Sequence, residues 1–434
     1  MISKKVNSQF ILILQFLFFT LVSCGQSTNT TEVFHKNIQE QTNAIFSDLV
    51  KIRQDFHNNP EASEKEIRTS KKITEYLLSL GLDVKTGVGG YGVVGILDTG
   101  KKGKNIAWRA DMDAVSVHNH DSKNNTSNHG NPRHICGHDV NMTVALGIAK
   151  VLVAQKKQLT GKVYFIFQPA EESYTGAKAM VDDGLFDIIK PDEIYGSHIG
   201  PMPTNVISTK PEWMFADYKT VTISFKNSKD NEAIIAYGKK IIMELQNVTP
   251  ESEFWNPNSL GNPNIGLANP NTIFKDFLFV NQRSFDIKKT EKGVTISAYF
   301  GASTKEKINS VIPQLKDKIN HSKYAKELID VAYTYERANL YNDKKLTEKS
   351  LAHISKTFGS ENIILLYGEM PDYRGDDFAY YQEHVPGVYF YLGGSNFEKG
   401  IVSMPHAPNF QVDETCIKTG VNYFSSLIVE RLFN

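Results

Sequence analysis

The stretch that most limits what this chain can fold into is Val163-Tyr164-Phe165-Ile166-Phe167, five apolar residues in succession. A strand with one wet face alternates apolar and polar residues. An unbroken apolar run of this length reads as a strand covered on both faces, the centre of a sheet between helical layers. The flanking segments agree. Ile38, Ile45, Leu49, Ile52 and Phe56 recur at helical spacing and stop before Pro60. A second helix is predicted through Ile67, Ile73 and Leu77, with Gly81 where a left-handed cap is wanted. Strands are predicted at Val93–Leu97, Asn105–Arg109, Lys162–Phe167 and Glu193–Ser197, and helices near 143–155 and 176–183. The expected fold class is α/β, a central mixed sheet flanked by helices.

Near Ala216 the texture changes. Val221-Thr222-Ile223-Ser224-Phe225 alternates, a helical segment follows over 231–247, and a loop rich in Asn and Pro occupies 249–271. Strands around Phe277–Phe285 and Val294–Phe300 and a helix near 305–319 complete what reads as a small α+β domain inserted in the first. Val388–Leu392 is another buried strand, and 413–432 a closing helix. The expected division is a signal peptide over 1–24, an α/β domain built from 32–215 and 331–434, and an inserted α+β domain over 216–330. A chain of 434 residues with 41% hydrophobic content has material for two cores.

Lys4 and Lys5 precede the apolar run Phe10–Val22. The run is short for a bilayer span of roughly 20 residues and reads as a signal-peptide core. Leu21-Val22-Ser23-Cys24 resembles a lipoprotein box, so the chain is expected to be exported and anchored through lipid on Cys24, its only link to a membrane. The 48 basic and 48 acidic residues balance, which leaves no global field for nucleic acid. With three cysteines, at 24, 136 and 416, a disulfide framework is not expected.

The chemistry-bearing residues begin with Cys136 and His138 in His134-Ile135-Cys136-Gly137-His138-Asp139-Val140-Asn141, just before a helical segment. Alone, the pair reads equally as a buried thiol beside a helix-capping Asp139. Glu171 and Glu172 follow the apolar strand at its carboxyl end, where α/β sheets place ligand crevices. His198 ends the next strand, and His406 sits between Pro405 and Pro408 after the late strand. Thiolate, imidazole and carboxylate together suit divalent transition metals and not calcium or magnesium. Five ligands, Cys136, His138, Glu172, His198 and His406, exceed one tetrahedral site, which points to two ions such as Zn, Mn, Co or Ni, with Cys136 or a water between them. Glu171 is left over. A carboxylate beside a metal-bound water can take its proton and pass it to a leaving amine, so Glu171 is the expected general base and acid.

These residues resemble the M20 metallopeptidase family, in its amidohydrolase branch of aminoacylases, hippurate hydrolases and auxin-conjugate hydrolases. The matching motifs are Phe56-His57-Asn58-Asn59-Pro60-Glu61, Arg109-Ala110-Asp111-Met112-Asp113-Ala114, Cys136-Gly137-His138-Asp139, Phe167-Gln168-Pro169-Ala170-Glu171-Glu172, His198-Ile199-Gly200-Pro201, Asp376-Asp377-Phe378, and His406-Ala407-Pro408 with Asp413-Glu414. They run in the family's order over nearly the whole chain outside the inserted segment. The resemblance implies a catalytic domain interrupted by a lid that can pair two subunits, a dinuclear centre on the five ligands above, Glu171 as catalytic glutamate, and Asp113 supporting the site from behind its ligands.

Three departures stand out. Asn141 occupies the position of a second histidine, and Asp376 that of a glutamate. The lid strand leads through Phe225-Lys226-Asn227-Ser228-Lys229-Asp230 straight to a helix, without the histidine that in the family reaches the partner's site to stabilise the oxyanion. His321 is a poor substitute; Arg283 or an Asn of the 249–271 loop is the candidate replacement. One missing oxyanion donor costs on the order of 10²–10³ in rate. The expected function is therefore a metal-dependent amidohydrolase acting on an N-acyl amino acid or small peptide-like amide. Two alternatives stay open: a metal-retaining binding protein that has lost catalysis, and a cysteine amidase with Cys136 as nucleophile.

Overall fold

The structure, a computed structural model, describes residues 8–116, 131–371 and 375–433, with side chains from residue 32 onward. The expected signal, residues 1–24 with Cys24, lies outside the residues whose side chains are described. Helices α1 (Ser8–Asn58) and α2 (Ile67–Ser79) lead into strands β1 (Asp83–Val88), β2 (Gly92–Asp98) and β3 (Asn105–Asp111). Then come α3 (His138–Ala154), β4 (Lys162–Gln168), α4 (Gly176–Asp182), α5 (Leu185–Ile188), β5 (Glu193–Pro203), β6 (Ile207–Thr209) and β7 (Glu212–Trp213). The next segment holds β8 (Asp217–Lys226), α6 (Asn231–Met243), β9 (Leu278–Val280), β10 (Asp286–Thr290), β11 (Gly293–Ala302), α7 (Lys305–Asn320) and β12 (Leu328–Glu336). The chain ends with β13 (Tyr341–Asn342), α8 (Lys344–Phe358), β14 (Ile363–Leu365), α9 (Ala379–Gln382), β15 (Gly387–Ser395) and α10 (Thr415–Phe433).

Eight strands form the large sheet in the order β1-β2-β4-β3-β5-β15-β6-β14. The sheet is mixed, as expected. β3 runs parallel to β4 and β5, and β15 parallel to β5, whereas β2 is antiparallel to β4 and β1 to β2. The apolar run lies on β4, and its two faces feed two cores. Val163, Phe165 and Phe167 pack with Leu49 of α1, Val144 and Ile148 of α3 and Phe424 of α10, while Tyr164 and Ile166 pack with Ala177 and Met180 of α4 and Tyr381 of α9. Each such side chain, fully buried, contributes about 1.5–3 kcal/mol. The parallel strands bring the carboxyl ends of β3, β4 and β5 to one edge of the sheet, at Asp111, Gln168 and His198 onward.

Two differences from the sequence reading have plain causes. β1 carries no sequence signal because Asp83, Lys85 and Thr86 are solvated on this edge strand and hide any apolar period. The strand expected through Phe277–Phe285 is broken: the Asn281 side chain accepts a hydrogen bond from the Arg283 amide at 2.9 Å, folding 282–284 into a short 3₁₀ turn between β9 and β10.

The second sheet has the order β10-β11-β8-β12, with β9 paired to β11. α6 and α7 cover one face, where Val221, Ile223 and Phe225 meet Ile234, Ile296, Ile308 and Leu315. The other face carries Tyr218, Tyr299 and a polar row in which Thr222 bonds Ser297 at 2.7 Å and Thr334 at 2.8 Å. Residue 330, the expected end of this segment, falls inside β12, which pairs along β8 as far as Glu336.

On the helical side, α1, α8 and α10 meet at a polar cluster. The Ser426 hydroxyl lies 2.8 Å from His35 Nδ1 and 2.8 Å from His353 Nε2, and the two rings are 5.3 Å apart. Burial lowers both imidazoles, His353 to about 4 with His35 and Lys356 adding to the effect. The folded chain therefore holds these rings neutral, while the unfolded chain, with an imidazole pKa near 6.5, takes up protons first. Stability is full above about pH 6.5 and declines as pH falls towards 4. Urea denaturation at pH 7 and pH 5 should show a loss of about 1–2 kcal/mol, allowing for partial exposure, and His353→Gln should remove most of that pH dependence.

Candidate metal centre

Gly137 sets the geometry at the entrance to α3. Its φ is +93°, and a Cβ there would lie 2.2 Å from Ile199 Cγ2, so the Cys136–His138 loop packs directly on the end of β5. Cys136 Sγ is consequently 3.3 Å from His198 Nε2. His138, fully buried, has Nδ1 2.8 Å from the Asp113 carbonyl oxygen and 3.2 Å from Asp113 Oδ1. That pairing turns Nδ1 toward Asp113 and Nε2 toward the cluster, where a bound ion would take its lone pair. Nε2 has no hydrogen-bond partner and faces Glu171 Oε2 at 3.7 Å, Glu172 Oε1 at 3.8 Å and Asp111 Oδ1 at 3.8 Å.

The turn after β4 is held under strain. Ala170 and Tyr174 bracket the glutamates at φ +53° and +59°, settings that residues with a Cβ seldom take. Glu66 accepts the Ala170 amide at 2.8 Å, and Asp113 Oδ2 accepts both the Glu172 amide at 3.0 Å and the Ser63 hydroxyl at 2.6 Å. His406 is strained too, at φ +63°, and its amide donates to the Ile135 carbonyl at 2.8 Å, which hangs the 405–408 loop over the Cys136 loop. His406 Nε2 lies 3.3 Å from Glu172 Oε1.

The six residues named from sequence thus converge. Donor atoms of Cys136, His138 and His198 all lie within 4.8 Å of one another, as do those of Cys136, Glu172 and His406. Cys136 belongs to both triplets. Glu171 Oε2 sits beside His138, and Asp113 lies behind it. A buried imidazole nitrogen with no partner, facing carboxylates across 3.7–3.8 Å beside a thiol and two further imidazoles, is a donor set that a divalent transition ion fits.

The charges around the site point the same way. Burial pushes the Glu171 carboxyl well above its usual range, helped by Asp376 and Glu172, and burial raises the Cys136 thiol. Asp111 is instead held down to about 2: burial opposes ionisation, but His138 and Arg109 outweigh it. Arg109, fully buried on β3, donates to Gln168 Oε1 at 2.7 Å, to Asp111 Oδ2 at 2.7 Å, to Asp376 Oδ2 at 3.2 Å and to Asp377 Oδ1 at 3.1 Å. One guanidinium therefore gathers three carboxylates immediately behind Glu171.

Asn141 has a defined job. Its Nδ2 donates to Asp111 Oδ1 at 2.8 Å and its Oδ1 accepts the Ile199 amide at 3.1 Å. Asp139, next to His138, meets Arg53 Nε at 2.8 Å and His57 Nδ1 at 2.8 Å, both from α1. Sequence reasoning assigns no role to Glu66, Ser63 or Arg53. Arg53 is within its reach, because it lies four residues before His57 on one helix face. Glu66, in the charged run Glu64-Lys65-Glu66, carries no periodic signal.

The sequence profile of peptidase family M20/M25/M40 matches residues 107–430. The chain belongs to this family. It is 28% identical to the IAA-amino acid hydrolase ILR1-like 4 of Arabidopsis thaliana, over 98% of this chain and 94% of that protein. It is also 28% identical to the N-acetyldiaminopimelate deacetylase of Shouchella clausii, over 80% of this chain and 90% of that one. Among solved structures, the YXEP protein of Bacillus subtilis, a dinuclear metal-binding M20 peptidase, superposes with a TM-score of 0.69 at 23% identity, over 90% of this chain and 99% of that one. The M20 fold is thus shared across both layers of the molecule.

The inserted segment differs in one respect from the family pattern. Beyond β8 the chain enters α6 through 227–230, and His321 closes α7 on the surface with Nδ1 3.0 Å from the Asp317 carbonyl oxygen. Arg283 lines a cavity of about 380 Å³ on the face of the second sheet opposite α6 and α7, with Tyr218, Tyr299, Tyr335 and Arg337. For the Arg109 knot, replacement by Met leaves three buried carboxylates without their cation. Metal-free Arg109→Met protein should be less stable by about 3–5 kcal/mol in urea denaturation, with an unchanged dependence on denaturant.

Proposed function

We propose that this M20 chain is a metal-dependent amidohydrolase that cleaves an N-acyl amino acid or a small peptide-like amide, with Glu171 as general base and then acid. The observation that carries the reading is the place of Glu171. Its Oε2 lies 3.7 Å from His138 Nε2, which has no hydrogen-bond partner, and Glu171 stands outside the two triplets that share Cys136.

Cys136, His138, Glu172, His198 and His406 would hold two divalent transition ions, Zn, Mn, Co or Ni. Bound there, the ions would supply Lewis acidity toward the amide carbonyl and toward water. The protein itself handles the proton and orients the groups. Glu171 takes the proton of the attacking water and returns it to the departing nitrogen. Burial and the neighbouring Asp376 and Glu172 make its protonated form easy to keep until that transfer. Asp113 and Asn141 hold His138 and the His198 strand in place. The named activities of the plant and Shouchella relatives, both hydrolyses of acylated amino acids by their names, support the substrate class.

Cys136 as a nucleophile fits less well. Its side chain is buried against His198, and burial raises the thiol, whereas a reactive thiol needs exposure and an easily formed thiolate. The lid's missing histidine favours a second reading, a metal-retaining binding protein. Export with a lipid on Cys24, and pairing of two subunits through the 216–330 segment, also belong to the proposal and rest on the sequence.

Glu171→Gln tests the assignment. The variant should keep two equivalents of metal and lose about 10²–10⁴-fold in kcat on N-acyl amino acids, and exhaustive chelation should abolish wild-type turnover. Full activity in the variant sinks the role of Glu171. Two bound metals with no turnover on a broad amide panel support the binding reading instead.

A further inference from the structure

Tyr174 is strained without contributing to either donor triplet. At φ +59° it occupies the left-handed region, where a Cβ is unfavourable, two residues beyond Glu172. Such settings persist where the surroundings over-determine them, and here they do so from three sides. The phenol hydrogen is shared between the carbonyl oxygens of Ala338 and Asp376, each 3.1 Å away. The Arg337 guanidinium lies over the ring, 4.4 Å from its centroid, and also 5.5 Å from the ring of Tyr218 on β8. Gly375 permits the approach: a Cβ there would stand 2.9 Å from the Tyr174 hydroxyl and 3.1 Å from Arg337 Nη2.

These partners belong to different regions of the fold. Arg337 and Ala338 follow directly on β12 and form the return connection from the lid sheet to β13. Asn339 joins that connection to the outgoing one, its Nδ2 donating to the Phe215 carbonyl at 3.1 Å just before β8. Asp376 belongs to the Arg109 knot. One aromatic residue therefore joins the turn that carries Glu171 and Glu172 to the return connection from the second sheet and to the buried charge network.

We propose that Tyr174 is a positioning residue that locks the lid's hinge to the Glu171–Glu172 turn, so that the setting of the lid governs the placing of the base. This deepens the amidohydrolase reading and rests on it only for its effect on turnover. The strain fits the role. With its side chain clamped to hinge and knot, the backbone at 174 is held in a setting it would otherwise leave, and motion of the hinge pulls on the turn three residues from Glu171.

Glycine accepts φ +59° freely, so Tyr174→Gly removes the clamp and keeps the turn's backbone accessible. Tyr174→Phe keeps the ring under Arg337 and removes both hydrogen bonds. Hydrogen–deuterium exchange of peptides covering 336–340 should be at least tenfold faster in Tyr174→Gly than in the wild type and intermediate in Tyr174→Phe. Metal content should be equal in all three. On a hydrolysed N-acyl amino acid, kcat of Tyr174→Gly should fall about tenfold with KM within twofold, and Tyr174→Phe should recover some of the loss. Equal hinge exchange in the three proteins overturns the lock, and a loosened hinge with unchanged kcat overturns its link to Glu171. If the wild type turns over no amide, the proposed function fails while the exchange comparison still decides whether the lock exists.

Discussion

The arrangement depends first on a single buried cation. Arg109 lies on a central strand with no solvent to share its charge, and the only stable way to keep it there is to surround it with acceptors. It does so with residues far apart in sequence: Asp111 on its own strand, Gln168 at the end of β4, and Asp376 and Asp377 from the segment before α9. Asp377 also accepts from Gln168 Nε2 at 2.6 Å and from the Ala177 amide at 2.9 Å, so the knot reaches the start of α4. The carboxyl ends of neighbouring strands are thereby fixed relative to one another before any ligand residue is considered.

That fixing explains how so much negative charge stands in one place. Glu171, Asp376 and Asp377 have oxygens within 4.8 Å of one another, and such a group repels itself. Arg109 offsets some of the repulsion, and burial beside Asp376 pushes Asp377 up toward its protonated form. What repulsion remains falls on Glu171, which burial already disfavours as an anion. Glu171 is thus made basic by the same network that ties the strand ends together. A group tuned by fixed neighbours has its geometry and its proton affinity set together.

Much of this is legible in the sequence and some is not, for physical reasons. The double-faced apolar run identifies β4 and with it the layered sheet, because burial on both sides leaves no polar residue in register. The donor residues are legible because parallel strands deliver their carboxyl ends to one end of the sheet, so a Cys-x-His, a pair of glutamates and a histidine after strands meet His198. His198 itself lies within β5, where that strand runs on past its expected end at Ser197 to Pro203. The supports are hidden. Ser63 and Glu66 act through single hydrogen bonds across 50 and 104 residues of chain, and no local pattern encodes such a contact. Tyr174 is equally silent, since nothing in Ser173-Tyr174-Thr175 announces a positive φ. The break at 282–284 turns on one asparagine side chain competing with a strand's ladder.

The departures from the family pattern are unequal once the contacts are known. At position 141 the role in this fold is to join Asp111 to the backbone of the His198 strand. An amide does that with both of its ends, one donor and one acceptor, and with its orientation fixed because the Ile199 amide can meet only the oxygen. The exchange of an imidazole for an amide there leaves the donor set intact and removes a titrating ring from beside Asp111. The inserted segment is another matter. Its sheet is reached through two short connections, tied by Asn339 to Phe215 and by Tyr174 to Ala338. The 249–277 stretch packs on the large-sheet body as well, with the Leu267 carbonyl accepting the Tyr367 amide at 2.8 Å and the Phe274 carbonyl the Glu369 amide at 2.9 Å. The β8 strand passes directly into α6, and on the sheet face opposite α6 and α7 Arg283 and Arg337 stand among three tyrosines. The cluster of thiol, imidazoles and carboxylates therefore keeps the family's donor types, and the larger departure from the family pattern lies in the segment that follows β8.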